Sequence, residues 1–155
     1  MQVLLLSERR DLIPAVTQLL HDDWGDLEPW SDPLRIQRRL ELACASSPFP
    51  RAFVAISQSG NFMGTASVKL HELPNYPEKE HWLSEVYVPN ELRGCGIGKS
   101  LVKSVAAYSF ASSAPCLYLY TPDQQSLYAK LGWRSIGETV ANGERVTLMC
   151  RTADT

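Results

Sequence analysis

The chain has 155 residues, of which 45% are hydrophobic and 21% are charged, and its formal net charge is −2. This length supports one domain with a sizeable core, and the composition is that of a soluble globular protein. A slightly acidic chain is not expected to have nucleic acid as its main partner. The apolar run at residues 3–6 is too short for a signal peptide or a membrane span, so no membrane partner is expected.

The cysteines and the absence of repeats add to these limits. The chain contains neither a Cys-x-x-Cys pair nor a Cys/His cluster, which predicts reduced thiols in a cytoplasmic protein, without a disulfide framework or a metal site. We find no internal repeat and no interdomain linker. Residues 1–155 are therefore predicted to form a single domain.

The first half of the chain predicts a strand, two helices and a hairpin. Apolar residues at helical spacing and proline in a tolerant first turn indicate the helices, and period-two alternation indicates the strands. The predicted elements are a strand over 2–7, a helix capped by Asp11, a helix capped by Asp32, and a hairpin with strands 52–57 and 62–70.

The second half alternates strands and helices before it ends in another hairpin. The predicted elements are a strand over 81–88, a helix from about residue 97, a strand over 116–120, a helix over 123–131, and hairpin strands 133–140 and 144–151. The complete order is β-α-α-β-β-β-α-β-α-β-β. Hairpins mixed with helical crossovers predict an α/β (mixed α+β) fold with helices on both faces of a mixed sheet.

A glycine-rich loop joins the strand 81–88 to the helix that follows it. Alternating glycines let backbone N–H groups approach a ligand closely, and the start of the helix adds its unpaired N–H groups and positive dipole. Two cations flank the glycines, so the loop is predicted to bind an anion, most simply a phosphate. The residues of this predicted cradle are Arg93, Gly94, Cys95, Gly96, Ile97, Gly98 and Lys99.

Two familiar phosphate motifs come close to this loop and do not fit. A Walker A loop requires glycine where the chain has Arg93, and the dinucleotide fingerprint requires glycine where it has Lys99. A nucleotide-binding P-loop protein is therefore a disfavoured alternative.

The loop does fit another pattern. Residues 88–98 resemble the coenzyme A pyrophosphate loop of the GNAT superfamily, the acyl-CoA-dependent N-acyltransferases. Residues 127–133 resemble the Leu-Tyr-x-x-x-Gly-aromatic signature of the same superfamily. The order of elements also matches, so the resemblance covers nearly the whole chain. It implies a central, mostly antiparallel sheet and acetyl-CoA as the co-substrate.

The resemblance also implies where coenzyme and catalyst lie. The strand residues Val86, Tyr87 and Val88 would pair with the pantetheine arm and offer a backbone N–H to the oxyanion. Thr121 stands where many members carry an asparagine that contacts the pantetheine. A departing thiolate, whose pKa is about 8.5, needs a proton or a hydrogen bond, and the phenol of Tyr128 can supply either.

The remaining candidates concern the acceptor amine. Glu85 is the first candidate for general base because it lies beside the expected oxyanion site, unless it is an ordinary solvated or salt-bridged glutamate. His71, Glu72 and His81 lie near the same edge and are weaker candidates. Cys95 lies in the phosphate loop, far from the expected thioester, so an acyl-cysteine intermediate is not expected. Acidic and aromatic residues are concentrated between the first two helices, and they suit a cationic amine unless they merely form a solvated loop. These residues are Asp22, Asp23, Trp24, Asp26, Glu28, Trp30 and Asp32.

The sequence thus predicts an enzyme that transfers acetyl from acetyl-CoA to a primary amine of a small molecule or peptide. Direct attack within a ternary complex is expected. The alternative is a non-catalytic acyl-CoA-binding or regulatory module with the same fold. Exposed strand edges in the terminal hairpins also allow a homodimer.

Overall fold

The computed structural model describes residues 1–153 and contains the predicted succession of strands and helices. The strands are β1 (Gln2–Leu5), β2 (Arg51–Ile56), β3 (Phe62–Leu70), β4 (His81–Tyr87), β5 (Cys116–Thr121), β6 (Arg134–Ala141) and β7 (Glu144–Thr152). The helices are α1 (Ile13–Trp24), α2 (Pro33–Leu42), α3 (Ile97–Ala111) and α4 (Gln125–Lys130).

All seven strands belong to one sheet, in the order β1-β2-β3-β4-β5-β7-β6. Strands β4 and β5 run parallel, and the other neighbouring pairs within residues 1–153 are antiparallel. The predicted mixed, mostly antiparallel sheet is therefore confirmed. Only Trp82 and Tyr118 are in register between β4 and β5. The carboxyl ends of these two strands therefore separate and leave a cleft in the sheet.

Two hydrophobic cores cover the two faces of the sheet. On one face α3 packs through Ile97, Leu101 and Val105, all of which are buried. On the other face α1 and α2 pack through residues such as Leu20 and Ile36. In the described part of the chain, no helix has the length and apolar character needed to cross a membrane.

Of the two helix caps that the sequence predicts, one is present and one is absent. Asp32 caps α2, because its carboxylate accepts a hydrogen bond from the Leu34 N–H at 3.0 Å. The expectation that Asp11 caps the first helix is wrong, since α1 begins at Ile13 without a side-chain cap. Asp11 instead pairs with Arg9 at 2.9 Å, in the short 3₁₀ segments that follow β1.

Candidate active site

The cleft between β4 and β5 contains two adjoining chambers. The first, here called the loop chamber, has a volume of about 430 Å³ and lies against the glycine-rich loop. The second, here called the aromatic chamber, has a volume of about 480 Å³ and extends toward α1 and the β6–β7 turn. Five residues line both: Trp24, Val86, Arg93, Gln124 and Tyr128.

The loop chamber brings together most of the residues predicted to bind the coenzyme. Its lining includes Val86, Tyr87, Val88, Arg93, Gly94, Gly96, Ile97, Gly98 and Lys99. Gly94 and Gly96 have φ values of +81° and +83°, in the left-handed region that favours glycine. A Cβ at either position would meet nothing within 4 Å. These glycines are therefore required by backbone conformation rather than by crowding.

Arg93 and Cys95 of the loop differ in their position relative to the cleft. Arg93 folds back on the strand, because its Nε donates to the Val88 carbonyl at 2.8 Å and its guanidinium lies 5.7 Å from the Tyr87 ring centroid. Arg93 thus fastens the loop to the end of β4 while still lining both chambers. Cys95 is exposed and is not part of the lining of either chamber.

Thr121 and Tyr128 face the cleft from the β5–α4 segment. The Thr121 hydroxyl accepts the Gln124 N–H at 3.0 Å, so it also fastens the turn before α4. Tyr128 packs edge-on against Trp133 with ring centroids 6.1 Å apart. Its hydroxyl has no hydrogen-bond partner among residues 1–153, and burial raises the pKa of this phenol to about 12. Tyr128 is therefore a neutral hydrogen-bond donor at ordinary pH.

Glu85 is held in a buried network at a bulge of β4. The residue has φ +53° and is 7% exposed. Its Oε2 accepts from Trp30 Nε1 at 2.6 Å and lies 2.9 Å from Lys69 Nζ and 3.9 Å from an Arg39 nitrogen. Burial alone raises the pKa of Glu85, but Lys69 and the Trp30 N–H outweigh it and hold that pKa below its usual range. The carboxylate is therefore ionised.

Sequence reasoning did not identify Lys69 or Arg39 as partners of Glu85. A lysine within the half-buried strand β3 was the available signal, because a buried ammonium requires an anion nearby. The sequence did not show which carboxylate would meet it.

The acidic and aromatic residues of the segment between α1 and α2 differ in where they lie. Glu28 pairs with Arg35 at 2.7 Å, and Asp22 accepts from Gln18 at 2.6 Å. Local partners thus hold these carboxylates at the surface. The aromatic residues of the segment, Trp24 and Trp30, do line the aromatic chamber, and the carboxylates that line it are Glu85, Asp123 and Glu144.

The thiols and acidic groups of the described residues lie apart from one another. All four cysteines are free. Within residues 1–153, no three or more His, Cys, Asp or Glu side chains are grouped so as to hold a metal ion.

The chain is similar to known proteins over most of its length. The family model described as "Acetyltransferase (GNAT) family" matches residues 13–133. A curated relative, N-alpha-acetyltransferase 80 from Mus musculus, is 31% identical over 135 residues, which are 85% of this chain. The chain spans 40% of the length of that relative.

Solved structures agree with this comparison at the level of the fold. A ribosomal-protein-alanine N-acetyltransferase from Brucella melitensis superposes with a TM-score of 0.77 at 18% identity, covering 98% of this chain and 99% of that one. An aminoglycoside 6′-N-acetyltransferase complexed with coenzyme A superposes with a TM-score of 0.76 at 17% identity, covering 99% and 97% of the two chains.

Proposed function

Because the chain belongs to the GNAT acetyltransferase family, we propose that it transfers the acetyl group of acetyl-CoA to a primary amine of a small molecule or peptide, by direct attack in a ternary complex. The observation that carries this proposal is the cleft itself. The opening between the separated strands β4 and β5 is lined by the glycine-rich loop, the start of α3 and the phenol of Tyr128, whose hydroxyl has no partner in the described chain. No observation on residues 1–153 favours the non-catalytic alternative.

The residues of the loop chamber fit a coenzyme with a pyrophosphate and an extended arm. Backbone N–H groups of the loop around Gly94 and Gly96 and the start of α3 would hold the pyrophosphate, with Lys99 adding a positive charge. The separated end of β4 at Val86–Val88 leaves backbone groups for the pantetheine arm. Thr121 still has a hydroxyl hydrogen to donate while its oxygen accepts from Gln124.

Acetyl-CoA supplies the acetyl group as a thioester. The amine forms a C–N bond to the acetyl carbon, the C–S bond breaks, and CoA leaves as the thiol. A backbone N–H in the Val86–Val88 segment would stabilise the oxyanion. The neutral Tyr128 hydroxyl would donate its proton or a hydrogen bond to the departing sulfur. Glu85, held ionised by Lys69 and Trp30, would orient the amine and take its proton through water. Its lowered pKa makes it a weak base, so the electrostatic part of this role dominates.

The acceptor is proposed to be a cationic amine. The carboxylate residues Asp123 and Glu144 and the indole residues Trp24 and Trp30 line the aromatic chamber. Both features attract a substrate cation. The structural relative complexed with coenzyme A is named for aminoglycosides, which carry several amines.

Calorimetric titration with acetyl-CoA tests the coenzyme site. Lys99 lines the loop chamber, whereas Lys103 is exposed one turn later on the same helix and does not. We expect Lys99→Glu to weaken binding about tenfold, or about 1.4 kcal/mol, and Lys103→Glu to leave it unchanged. Absence of acetyl-CoA binding by the wild-type chain would overturn the proposal. Binding without acetyl transfer to any polyamine, aminoglycoside or peptide tested would support the non-catalytic alternative.

The proposed setting is the cytoplasm, in which the four free thiols remain reduced. A homodimer through the edge strand β6 is also proposed, since Ile136 and Val140 are exposed there. Light scattering of the wild type and of Val140→Lys measures this association directly.

A further inference from the structure

A third cavity, of about 270 Å³, lies between the end of α2 and strands β3 and β4. It is called the α2 chamber here. It shares Glu85 with the aromatic chamber and has no other lining residue in common with either chamber of the cleft. The function proposed above makes no use of this cavity.

The polar groups of the α2 chamber are mostly hydrogen-bond donors. Ser67 is 2% exposed, and its hydroxyl has no hydrogen-bond partner within residues 1–153. The Lys69 Nζ lies 2.9 Å from Glu85 Oε2, and Arg39 Nη2 donates a hydrogen bond to the Pro29 carbonyl at 2.6 Å. The remaining N–H groups of both cations are free to donate. Ser67 lines the chamber, and its hydroxyl can donate to an acceptor atom of a ligand there.

The charges of the chamber also favour an anion. Arg39 and Lys69 carry two positive charges against the single carboxylate of Glu85. That carboxylate already accepts from Trp30 and Lys69, so few of its lone pairs remain for a ligand donor. A planar anion would suit the guanidinium of Arg39.

The rest of the lining is apolar and partly open to solvent. Leu42 and Leu70 are 59% and 38% exposed, and they belong to the exposed large hydrophobic residues of the chain. The volume lies just below the range of about 300–1,000 Å³ that is typical of ligand pockets. A ligand that fits this chamber would therefore be small and have an apolar body.

We propose that the α2 chamber binds a small organic carboxylate with a compact apolar body. Its carboxylate accepts hydrogen bonds from Ser67, Lys69 and Arg39, and its apolar part packs against Leu42 and Leu70. Lys69 and Arg39 also pair with Glu85, which lines the aromatic chamber. A carboxylate bound in the α2 chamber therefore shares these two cations with Glu85. This inference goes beyond acetyl transfer and does not depend on it.

Titration of the isotope-labelled full chain with isovalerate, followed by NMR, tests the site directly. We expect saturable shifts of the Ser67 and Lys69 amide signals, and binding of isovaleramide at least tenfold weaker because it lacks the charge. Arg39→Gln is expected to weaken isovalerate binding about tenfold. Arg38→Gln is the matched control, since Arg38 is the exposed neighbour on the same helix and does not line the chamber.

A second pair of variants tests the apolar wall. Leu42→Asp places a repelling charge at the chamber, whereas Leu34→Asp places the same charge at a 50% exposed position elsewhere on α2. Only the first is expected to abolish isovalerate binding. The proposal is overturned if isovalerate causes no saturable shift, if the amide binds as well as the acid, or if Arg39→Gln and Arg38→Gln bind equally. These measurements use no acetyl transfer, so failure here is distinct from failure of the proposed enzyme activity.

Discussion

The glycine loop and the Glu85 network lie on the same cleft, but they are built in different ways. The loop is made of consecutive residues, 93–99, whose backbone conformation supplies the binding groups. The network joins Trp30, Arg39, Lys69 and Glu85, and its shortest hydrogen bond links residues 55 positions apart. The loop is therefore a local product of the chain, whereas the network exists only in the folded sheet. Substitutions in the two regions should accordingly have different consequences, for binding in the loop and for folding in the network.

The largest expected effect follows from removing one ion of the network. Lys69→Met leaves the Glu85 carboxylate buried without its main counter-charge, and we expect the free energy of unfolding to fall by about 3–5 kcal/mol. The double variant Lys69→Met/Glu85→Gln should recover most of this loss. Urea denaturation measures both.

An exposed ion pair provides the control for that experiment. Arg35 and Glu28 are 2.7 Å apart, but both are exposed, so Arg35→Met should change the stability little. Equal losses in Lys69→Met and Arg35→Met would show that burial does not distinguish the network.

The same network predicts how stability depends on pH. The folded state lowers the pKa of Glu85, so its stabilising contribution is complete above the usual carboxyl pKa of about 4.3. This contribution is lost as the pH falls through the lower pKa of the folded state. In acid denaturation, Glu85→Gln should therefore lose less stability than the wild type over this interval. Glu41→Gln, at an exposed position of α2, should follow the wild-type curve.

The next largest effect concerns Tyr128, which lines both the loop chamber and the aromatic chamber. Tyr128→Phe keeps the ring against Trp133 but removes the hydroxyl, and we expect kcat for acetyl transfer to fall about 100-fold. Because the pKa of Tyr128 is about 12, the wild type should retain this proton donor until the pH approaches 12. Tyr118→Phe, outside both chambers, should retain the wild-type kcat. Full activity of Tyr128→Phe across the pH range would exclude its role as the acid.

A smaller effect is expected for the backbone of the loop. Alanine at Gly96 must adopt φ +83°, which costs about 1 kcal/mol and shifts the loop, so acetyl-CoA binding should weaken about tenfold. Gly60→Ala imposes the same strain at φ +87° in the β2–β3 turn, where no ligand is expected. If Gly96→Ala and Gly60→Ala lower the thermal stability equally but only Gly96→Ala weakens acetyl-CoA binding, the glycine-rich loop is part of the coenzyme site. Unchanged affinity in Gly96→Ala would contradict that assignment.

The smallest expected effect is on the acceptor. Asp123→Asn with Glu144→Gln removes two exposed carboxylates from the aromatic chamber, and the KM for spermidine should rise about two- to fivefold at low salt. Glu138→Gln removes a carboxylate outside the chamber and should leave the KM unchanged. A lower KM in the double variant would contradict the proposed preference for cations.

The sequence by itself determined the features that depend on neighbouring residues. Glycine spacing indicated the left-handed loop, Asp32 and Pro33 marked the start of α2, and alternation located the strands. These features follow from backbone conformation and hydrogen bonds within a few residues. The family resemblance of residues 88–98 and 127–133 also came from such local patterns.

Only the tertiary structure decided which charges meet. Glu85 pairs with Lys69 and Trp30, Asp22 and Glu28 interact with neighbours in the chain, and Asp123 and Glu144 line the cleft. The tertiary structure also turned Arg93 back onto Val88 and left the Ser67 hydroxyl without a partner in the described chain. The physical reason is that a charged side chain pairs with whatever the packed sheet brings within about 4 Å, and sequence distance carries little information about that neighbour.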